Sequence, residues 1–357
     1  MGIHQSTCAI IDSVAKCWGR NSVGQLGDGT TSDRYTPTPV NFGAGAPTPV
    51  YLGDGCRGYN GGAVMSDGTV RMWGKGSRGM VGNGQTSNVH TPTIIDLGSP
   101  VTQIGTLDDA VCWMLASGQV KCVGYNAQGA LGDGSTTDRT TPVLVNGISS
   151  DNPATRLTCG YNHCLVVLAD GTMKAWGHGT QGQLGDGSAS HRYSPVTVNL
   201  GQSAGQPVLS IAAGTYHSLA VLADGTVKAW GYNNHGEIGD GTTTNRRNGP
   251  VTINVGGPAR MVSATAYSSC AVLVSGQTKC WGRNNYGQLG DGSTSNRNSP
   301  VDITSSLHDV PIAIVGGHDH RCWMFADDTI QCSGSNSYGR LGDGTTTNRN
   351  VPTTVQW

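Results

Sequence analysis

The cysteines have the clearest potential for covalent chemistry in this chain of 357 residues, which contains 11 of them. Eight form four pairs that flank a hairpin turn symmetrically, so the two members of each pair should face each other within disulfide reach. The expected disulfides are Cys8 with Cys17, Cys112 with Cys122, Cys270 with Cys280, and Cys322 with Cys332. Cys56, Cys159 and Cys164 find no partner by this logic and are expected to be buried thiols.

Disulfides at this density are typical of an oxidising compartment, so the sequence favours an extracellular, cell-surface or periplasmic location. A metal site is not expected, because no cysteine pair has the Cys-x-x-Cys spacing and no cysteine has a partnered histidine. A cofactor is not expected either.

Acid and base residues give little support for catalysis. Every acidic residue except Glu237 is an aspartate, and many of these stand beside glycine, where aspartate is a turn former. His163, His217 and His320 occupy one repeated turn position, which favours a structural hydrogen bond back to the turn over a general base. We therefore predict a protein that is not an enzyme. A hydrolase or lyase with residues gathered around a central channel remains an alternative, because such a site leaves no local motif.

Aspartate and arginine recur six positions apart in six segments of the chain, and a seventh segment has Asn83 and Val89 instead, so both charges are lost together. This concerted loss predicts an ion pair that braces a long loop. A calcium loop is the weaker interpretation, because the terminal bidentate glutamate is missing. The pairs are Asp28/Arg34, Asp133/Arg139, Asp186/Arg192, Asp240/Arg246, Asp291/Arg297 and Asp343/Arg349.

These residues recur because the chain is built of repeated units. The string G-x-L-G-D-G or a near variant begins at Gly24, Gly79, Gly129, Gly182, Gly236, Gly287 and Gly339. Each unit of about 50 residues contains four short β-branched stretches bounded by turn residues. The 55 glycines and the 13% of charged residues also fit short strands joined by tight turns. The sequence therefore predicts an all-β, seven-bladed β-propeller of four-stranded antiparallel blades, with residues 1–357 as one domain.

The strings G-x-N-x-x-G-Q-L-G-D-G and A-D-G-T-V-K-x-W-G resemble the repeat of the regulator of chromosome condensation family, and the cysteine pairs suggest its secreted bacterial members. The resemblance implies a seven-bladed propeller. It also implies, as an alternative function, a guanine-nucleotide-exchange-like regulator. The photoreceptor function found in the family depends on a G-W-R-H-T turn, and the corresponding turns here, such as Gly160-Tyr161-Asn162-His163, contain no tryptophan.

Tryptophan is distributed by the same rule. Five units end their third strand with tryptophan, whereas units three and seven have Val123 and Ser333 there and carry Trp113 and Trp323 on the second strand. The two places share one sheet face as diagonal neighbours. Each unit is therefore expected to keep one indole in the same volume between blades.

A binding surface is expected on the face that bears the turns from strand one to two and the long loops from strand three to four. Residues there that break the repeat are candidates for contact with another protein or, as an alternative, a glycan. The aromatic candidates are Tyr125, Tyr161, His178, Tyr216, Tyr232 and His235, and a basic arc comprises Arg20, Arg57, Lys75, Arg78, Arg283, Arg321 and Arg340.

Nucleic acid and membrane insertion are not expected, because the net charge is −1 and no apolar stretch is long enough to span a bilayer. The sequence leaves the oligomeric state open. Met1 and Gly2 stand where the first strand of unit one should already have passed, so we expect that blade to lack its inner strand and the ring to close by pairing the first and last units. An export signal is not visible in this chain.

Overall fold

The computed structural model describes residues 2–3, 5–53, 59–201 and 206–357 and contains seven four-stranded antiparallel sheets. Blade 1 contains β1 (Gly2–Ile3), β2 (Ser6–Ile11), β3 (Val14–Gly19) and β4 (Arg34–Pro39). Blade 2 contains β5 (Pro49–Leu52), β6 (Asn60–Met65), β7 (Val70–Gly74) and β8 (Val89–Ile95). Blade 3 contains β9 (Val101–Thr106), β10 (Ala110–Leu115), β11 (Val120–Gly124) and β12 (Arg139–Leu144). Blade 4 contains β13 (Ala154–Cys159), β14 (His163–Leu168), β15 (Met173–Gly177) and β16 (Arg192–Thr197).

Blade 5 contains β17 (Val208–Ala213), β18 (His217–Leu222), β19 (Val227–Gly231) and β20 (Arg246–Ile253). Blade 6 contains β21 (Ala259–Ala264), β22 (Ser268–Leu273), β23 (Thr278–Gly282) and β24 (Arg297–Asp302). Blade 7 contains β25 (Ala313–Gly316), β26 (His320–Met324), β27 (Ile330–Gly334) and β28 (Arg349–Thr354). Three short 3₁₀ turns lie at Ser77–Gly79, Thr304–Ser306 and Ser337–Gly339. The predicted seven-bladed, all-β propeller is therefore confirmed.

Each blade runs from the centre of the ring to its rim. The first strands of neighbouring blades contact one another, so they surround the central axis. The second strands are buried on both faces, as in β10 and β14, because the neighbouring blades cover them from both sides. The fourth strands are largely exposed and each carries a proline, such as Pro37 and Pro142, which removes a hydrogen-bond donor from the outer edge.

The blades are held together by an indole that packs on a glycine of the preceding blade. The fourth residue of each G-x-L-G string has a positive φ, and a Cβ there would meet the next blade's tryptophan, as Gly239 would meet Trp281 Nε1 at 2.6 Å. Trp113 and Trp323 occupy this same volume from the second strand, against Gly82 and Gly290. The prediction of one indole per blade in a constant volume is confirmed.

The expected closure of the ring is wrong. Blade 1 has its inner strand, because Gly2 and Ile3 of β1 pair with Thr7 and Ser6 of β2. Within the described residues, each blade is built from its own continuous segment and no strand is exchanged between the first and last blades. The ring closes by side-chain packing of Trp18 on Gly342 of blade 7. Met1 lies outside the described residues.

Five disulfides lie within the part of the chain that the structure describes. Four join the expected pairs, Cys8–Cys17, Cys112–Cys122, Cys270–Cys280 and Cys322–Cys332, which stand directly opposite one another on the second and third strands. The expectation of buried thiols at Cys159 and Cys164 is wrong. These residues are opposite each other on β13 and β14 with a Cα–Cα distance of 4.1 Å, so the turn between them brings them into a fifth disulfide. Cys56 lies outside the described residues.

All six predicted aspartate–arginine ion pairs form. In blade 1, Arg34 Nε donates to Asp28 Oδ2 at 2.8 Å, and Thr30 donates to Asp28 Oδ1. Burial alone would raise the pKa of Asp28, but the hydrogen bonds from Thr30 and Arg34 outweigh it and hold the pKa below its usual value. The pair therefore closes the long loop between the third and fourth strands.

The described residues contain no helix long and apolar enough to cross a membrane.

The candidate binding surface

Two residues of each blade meet on the face that carries the long loops. The loop position directly follows the glycine that ends the third strand, and the turn position directly precedes the second strand. In every blade the backbone N–H at the loop position donates to the carbonyl at the turn position, as Tyr232 does to Tyr216 at 2.8 Å. The loop positions are Arg20, Lys75, Tyr125, His178, Tyr232, Arg283 and Ser335, and the turn positions are Gln5, Tyr59, Asp109, Asn162, Tyr216, Tyr267 and Asp319.

A glycine makes this arrangement possible. Gly231 has φ +106°, and a Cβ on it would lie 2.5 Å from the Tyr216 carbonyl oxygen. The strand register shifts at this point, where Gly231 pairs with Arg246 after an irregularity. The backbone is thus the same in all blades, and the side chains at the two positions determine what the surface presents.

In blades 4 to 7 an aromatic track lies at and beside these positions, and it consists of Tyr161, His178, His191, Tyr216, Tyr232, His235, Tyr267 and His318. The ring centroids of Tyr161 and Tyr216 are 5.5 Å apart and meet edge to face. The ring centroids of Tyr216 and Tyr232 are 6.2 Å apart, and those of Tyr232 and Tyr267 are also 6.2 Å apart. Tyr267 then meets His318 at 5.6 Å. All these side chains are half-buried, so neighbouring rings fix one another while part of each remains accessible.

The histidines of the track join neighbouring blades. The ring of His178 in blade 4 lies 5.3 Å from Tyr216 of blade 5 and 4.9 Å from His191. Burial, together with the nearby His191, lowers the pKa of His178 to about 4, and burial also lowers the pKa of His235. Both imidazoles are therefore neutral at pH 7, so they contribute aromatic and hydrogen-bonding surface instead of positive charge.

The predicted basic arc is not a row of free cations. Arg78 lies 4.3 Å from the Tyr125 ring centroid and 3.1 Å from Asp138. Lys75 lies over Tyr59 and pairs with Asp109 of the next blade at 2.7 Å. Each of these two cations is therefore paired with an acid and held over a tyrosine ring, which reduces its long-range attraction for an acidic partner.

Arg283 and Arg20 follow the same pattern. Arg283 lies over Tyr267 at 5.5 Å and pairs with Asp319 of blade 7 at 3.3 Å. Arg20 lies over Tyr338 and donates to Gln5 Oε1. Arg283 thus joins the aromatic track to the basic residues, and the two parts form one surface.

Two predicted surface residues do not support the prediction. The placement of Arg321 on the surface is wrong, because its side chain is 0% exposed within β26, where the blades cover the second strand from both sides. Arg340 is also buried, at 3% exposure. Arg57 lies outside the described residues.

Sequence reasoning missed three members of the track: His191, Tyr267 and His318. Tyr267 occupies the same turn position as Tyr216, so alignment of the units by this position would have found it. His318 directly precedes the turn position of blade 7, as Tyr161 does in blade 4, so the same alignment would have found it. His191 has no aromatic equivalent in the other units, and the folded chain brings it to the track.

The repeated histidines have a structural role, but the predicted partner is wrong. His163 Nε2 donates to Ser218 Oγ of the next blade at 3.0 Å, since the Ser218 hydroxyl itself donates to the Gln183 carbonyl. His217 pairs in the same way with Ser269, and His320 with Thr7. These histidines are 0% exposed, and burial lowers the pKa of His163 and His217 to about 3. They join blades and do not reach the surface.

Glu237 lies beneath the track. It takes the place of Gln25, Gln183 and Gln288 in the repeat, and its Oε2 accepts the backbone N–H of His235 at 2.9 Å, as the glutamine oxygens accept theirs. Burial raises the pKa of Glu237 to about 8, so this carboxyl group is mostly neutral at pH 7. It supports the loop as an uncharged acid.

Comparison with known families agrees with this geometry. The RCC1-like domain matches residues 109–357, and the regulator of chromosome condensation (RCC1) repeat matches residues 17–53. The chain belongs to the RCC1-like propellers.

Two named relatives are eukaryotic. The chain is 27% identical to the ultraviolet-B receptor UVR8 of Arabidopsis thaliana, with 100% of this chain and 69% of UVR8 covered. It is 29% identical to the E3 ubiquitin-protein ligase HERC2 of Homo sapiens, with 92% of this chain but 7% of HERC2 covered. The ligase is thus far larger than the matching propeller.

Among solved structures, Prp20p of Saccharomyces cerevisiae superposes with a TM-score of 0.82 at 20% sequence identity, and 96% of this chain and 85% of Prp20p are covered. This likeness shows a shared fold.

Proposed function

We propose that this propeller is a non-enzymatic binding module that recognises another protein through the face bearing the long loops. The observation that supports this proposal is the aromatic track, in which half-buried tyrosines and histidines of four blades contact one another through edge-to-face and tilted ring pairs. Tyrosine offers a large contact area with few torsions to freeze, and it is enriched at positions that dominate binding energy.

Preorganisation supports the same proposal. The backbone hydrogen bonds between loop and turn positions, the ion-paired loops and the interlocked indoles hold the surface before a partner arrives. A rigid surface loses less entropy on binding. The neighbouring cations over tyrosine rings, such as Arg78 over Tyr125, would form the polar rim of the contact.

The relatives also favour a protein partner. The structure of Prp20p is described together with its binding to Gsp1p and histones, and UVR8 is a receptor. A guanine-nucleotide-exchange-like regulator is the second candidate, and the likeness to Prp20p favours it. The candidates differ in a direct assay, because an exchange factor accelerates release of bound guanine nucleotide from a small GTPase and a simple binding module does not.

We further propose that the protein acts in an oxidising compartment, outside the cell or in a periplasm. Ten cysteines in five disulfides support this location. Mapping of the disulfides in protein isolated from its source tests it, and reduced cysteines at these positions would contradict it.

Substitution of the track tests the proposed function. In the variant Tyr161→Ala/Tyr216→Ala/Tyr267→Ala, we expect partner binding to weaken by about 2 kcal/mol or more, which is ~30-fold in Kd, with the melting temperature nearly unchanged. The control variant Val14→Ser/Val274→Ser changes two exposed side chains of the hairpins on the opposite face.

Proteins retained by the wild type and the control but lost with the track variant would be identified by mass spectrometry. The same glycan array probed with all three forms covers a carbohydrate partner. Equal binding by all three forms, or loss with the hairpin variant alone, would contradict the proposal.

A further inference from the structure

Two disulfides lie side by side at the interface between blades 3 and 4. Cys112–Cys122 joins β10 to β11 in blade 3, and Cys159–Cys164 joins β13 to β14 in blade 4. The Sγ atoms of Cys164 and Cys112 are 3.8 Å apart, and those of Cys112, Cys159 and Cys164 all lie within 4.8 Å of one another. All four side chains are at most 1% exposed. Cys122 lies outside this group of three but is bonded to Cys112 and belongs to the same core cluster, so four sulfur atoms from two blades share one buried volume.

This arrangement is confined to one interface among the described blades. Cys164 is the second residue of its strand, β14. The second residue of the corresponding strand is Thr7 in blade 1, Ser218 in blade 5 and Arg321 in blade 7. Arg321 Nη1 lies 3.4 Å from Cys280 Sγ of blade 6, so this position touches the preceding blade's disulfide there as well. Only blade 4 places a second cysteine pair at this contact.

We propose that, when both disulfides are reduced, Cys112, Cys122, Cys159 and Cys164 form a four-cysteine zinc site that joins blade 3 to blade 4. Zinc binds four thiolates tetrahedrally at about 2.3 Å, which separates the sulfur atoms by about 3.8 Å. The observed separation between Cys112 and Cys164 already equals this edge. Opening each S–S bond moves its sulfur atoms apart toward the same separation, so the ion requires side-chain rotation but no change in strand pairing.

The chemistry balances with a dithiol as reductant. Each protein disulfide accepts two electrons and two protons from one dithiol, which becomes a disulfide, so two dithiols yield four protein thiols. Zinc then binds the sulfur atoms, and one proton leaves for each thiolate that forms, so affinity falls as the pH is lowered. No open coordination position remains, which makes the site structural instead of catalytic.

The site has a consequence for the reduced chain. The two disulfides are each confined to one blade, whereas four thiolates on one ion connect two blades. Before oxidation, or in a reducing compartment, zinc would therefore replace two links inside blades by one link between them. Thiolate ligands select soft and borderline metals such as zinc over calcium or magnesium.

The full chain, reduced anaerobically with a dithiol, separated from the dithiol by gel filtration and titrated with cobalt(II) as a spectroscopic probe, tests the proposal. Tetrahedral thiolate coordination gives a sulfur-to-cobalt charge-transfer band and intense d–d bands, and we expect one cobalt per chain, displaced by zinc.

Two variants make the test specific. Cys159→Ala/Cys164→Ser copies Ala213 and Ser218 of blade 5 and should keep the fold. It should bind cobalt at least ~100-fold more weakly. Cys270→Leu/Cys280→Ala copies Leu219 and Ala229 of the same blade and should bind like the wild type.

Near-ultraviolet circular dichroism reports whether the reduced chain retains its tertiary packing. Failure of the reduced wild type to bind cobalt, whether folded or not, would overturn the proposal. Equal binding by Cys159→Ala/Cys164→Ser and the wild type would overturn it too, because the metal would then be held elsewhere.

Discussion

Arg321 Nη2 donates a hydrogen bond to Ser268 Oγ at 3.0 Å across the interface between blades 6 and 7. At the equivalent interface between blades 4 and 5, a histidine of the earlier blade meets a serine of the later one, as His163 meets Ser218. Between blades 6 and 7 the long and short side chains have exchanged sides. This exchange places the Arg321 guanidinium in a fully buried position against Ser268 and Cys280, where desolvation lowers the pKa of Arg321 to about 9.

Substituting both residues of this contact together should restore the arrangement found between blades 4 and 5. Arg321→Ser leaves a cavity and should cost about 2–4 kcal/mol, and Ser268→His overfills the interface and should cost about 1–3 kcal/mol. The double variant Ser268→His/Arg321→Ser rebuilds the histidine–serine pair of blades 4 and 5 and should recover most of the loss. Urea unfolding of the four forms measures the coupling. Additive losses would show that the two positions do not compensate each other.

Glu237 should make stability depend on pH. Its pKa is raised from 4.5 to about 8 in the folded protein, so the unfolded chain binds fewer protons between these values. The stabilising contribution of the neutral carboxyl group is therefore complete below pH 4.5 and is lost as the pH rises through 8. Glu237→Gln keeps the acceptor for His235 N–H and should be more stable than the wild type by roughly 2–4 kcal/mol at pH 8.5, with a much smaller gain at pH 5.

The reverse substitution provides the control. Gln288 holds the same place in blade 6 and accepts the Tyr286 N–H at 3.0 Å. Gln288→Glu should acquire a stability that declines from pH 5 to pH 8.5. Parallel pH profiles for Glu237→Gln and the wild type in thermal unfolding would show that Glu237 is not the source of the dependence.

The glycine–indole contact can be separated from backbone strain by two neighbouring substitutions. Gly239 has φ +84° and Gly241 has φ +83°, so alanine is strained by about 1–2 kcal/mol at either site. A Cβ at Gly239 would also lie 2.6 Å from Trp281 Nε1, whereas at Gly241 the nearest atom is 3.7 Å away. Gly239→Ala should therefore cost about 1–3 kcal/mol more than Gly241→Ala in urea unfolding. Equal losses would mean that the indole adjusts freely.

Free thiols give a direct test of the fifth disulfide. Five disulfides use ten of the 11 cysteines, which leaves one, Cys56. Alkylation of denatured, unreduced protein should therefore label at most one cysteine per chain, as counted by mass spectrometry. A count of three, with label on Cys159 and Cys164, would restore the arrangement expected from the sequence.

Features that repeat could be predicted from the sequence, because a residue that recurs at the same position of several aligned units occupies the same place in each blade. The indole volume shared by Trp113 and Trp281 and the six aspartate–arginine pairs are examples. Features that occur once could not. The Cys159–Cys164 pair has no counterpart in another unit, and the burial of Arg321 depends on its exchange with a serine of the neighbouring blade.

The candidate surface follows the same rule. Tyr216 and Tyr232 were found because they depart from the repeat on the expected face. The pairing of Arg78 with Asp138 joins residues 60 positions apart in two blades, and no periodicity reports such a contact. Charge on a loop can be read from a sequence, but the partner that screens it cannot.

Trp18 packs on Gly342 and closes the ring by the same contact that joins the other blades. The interface between the last and the first blade therefore needs no special structure. A protein whose ring is closed by an exchanged strand has one special seam, where the chain must begin and end. Here all seven joints contain the glycine–indole contact, so a circularly permuted chain opened at any connection between a fourth strand and the next first strand can close its ring by that contact. The position of the chain ends relative to the aromatic track can therefore be chosen freely in an engineered propeller of this sequence.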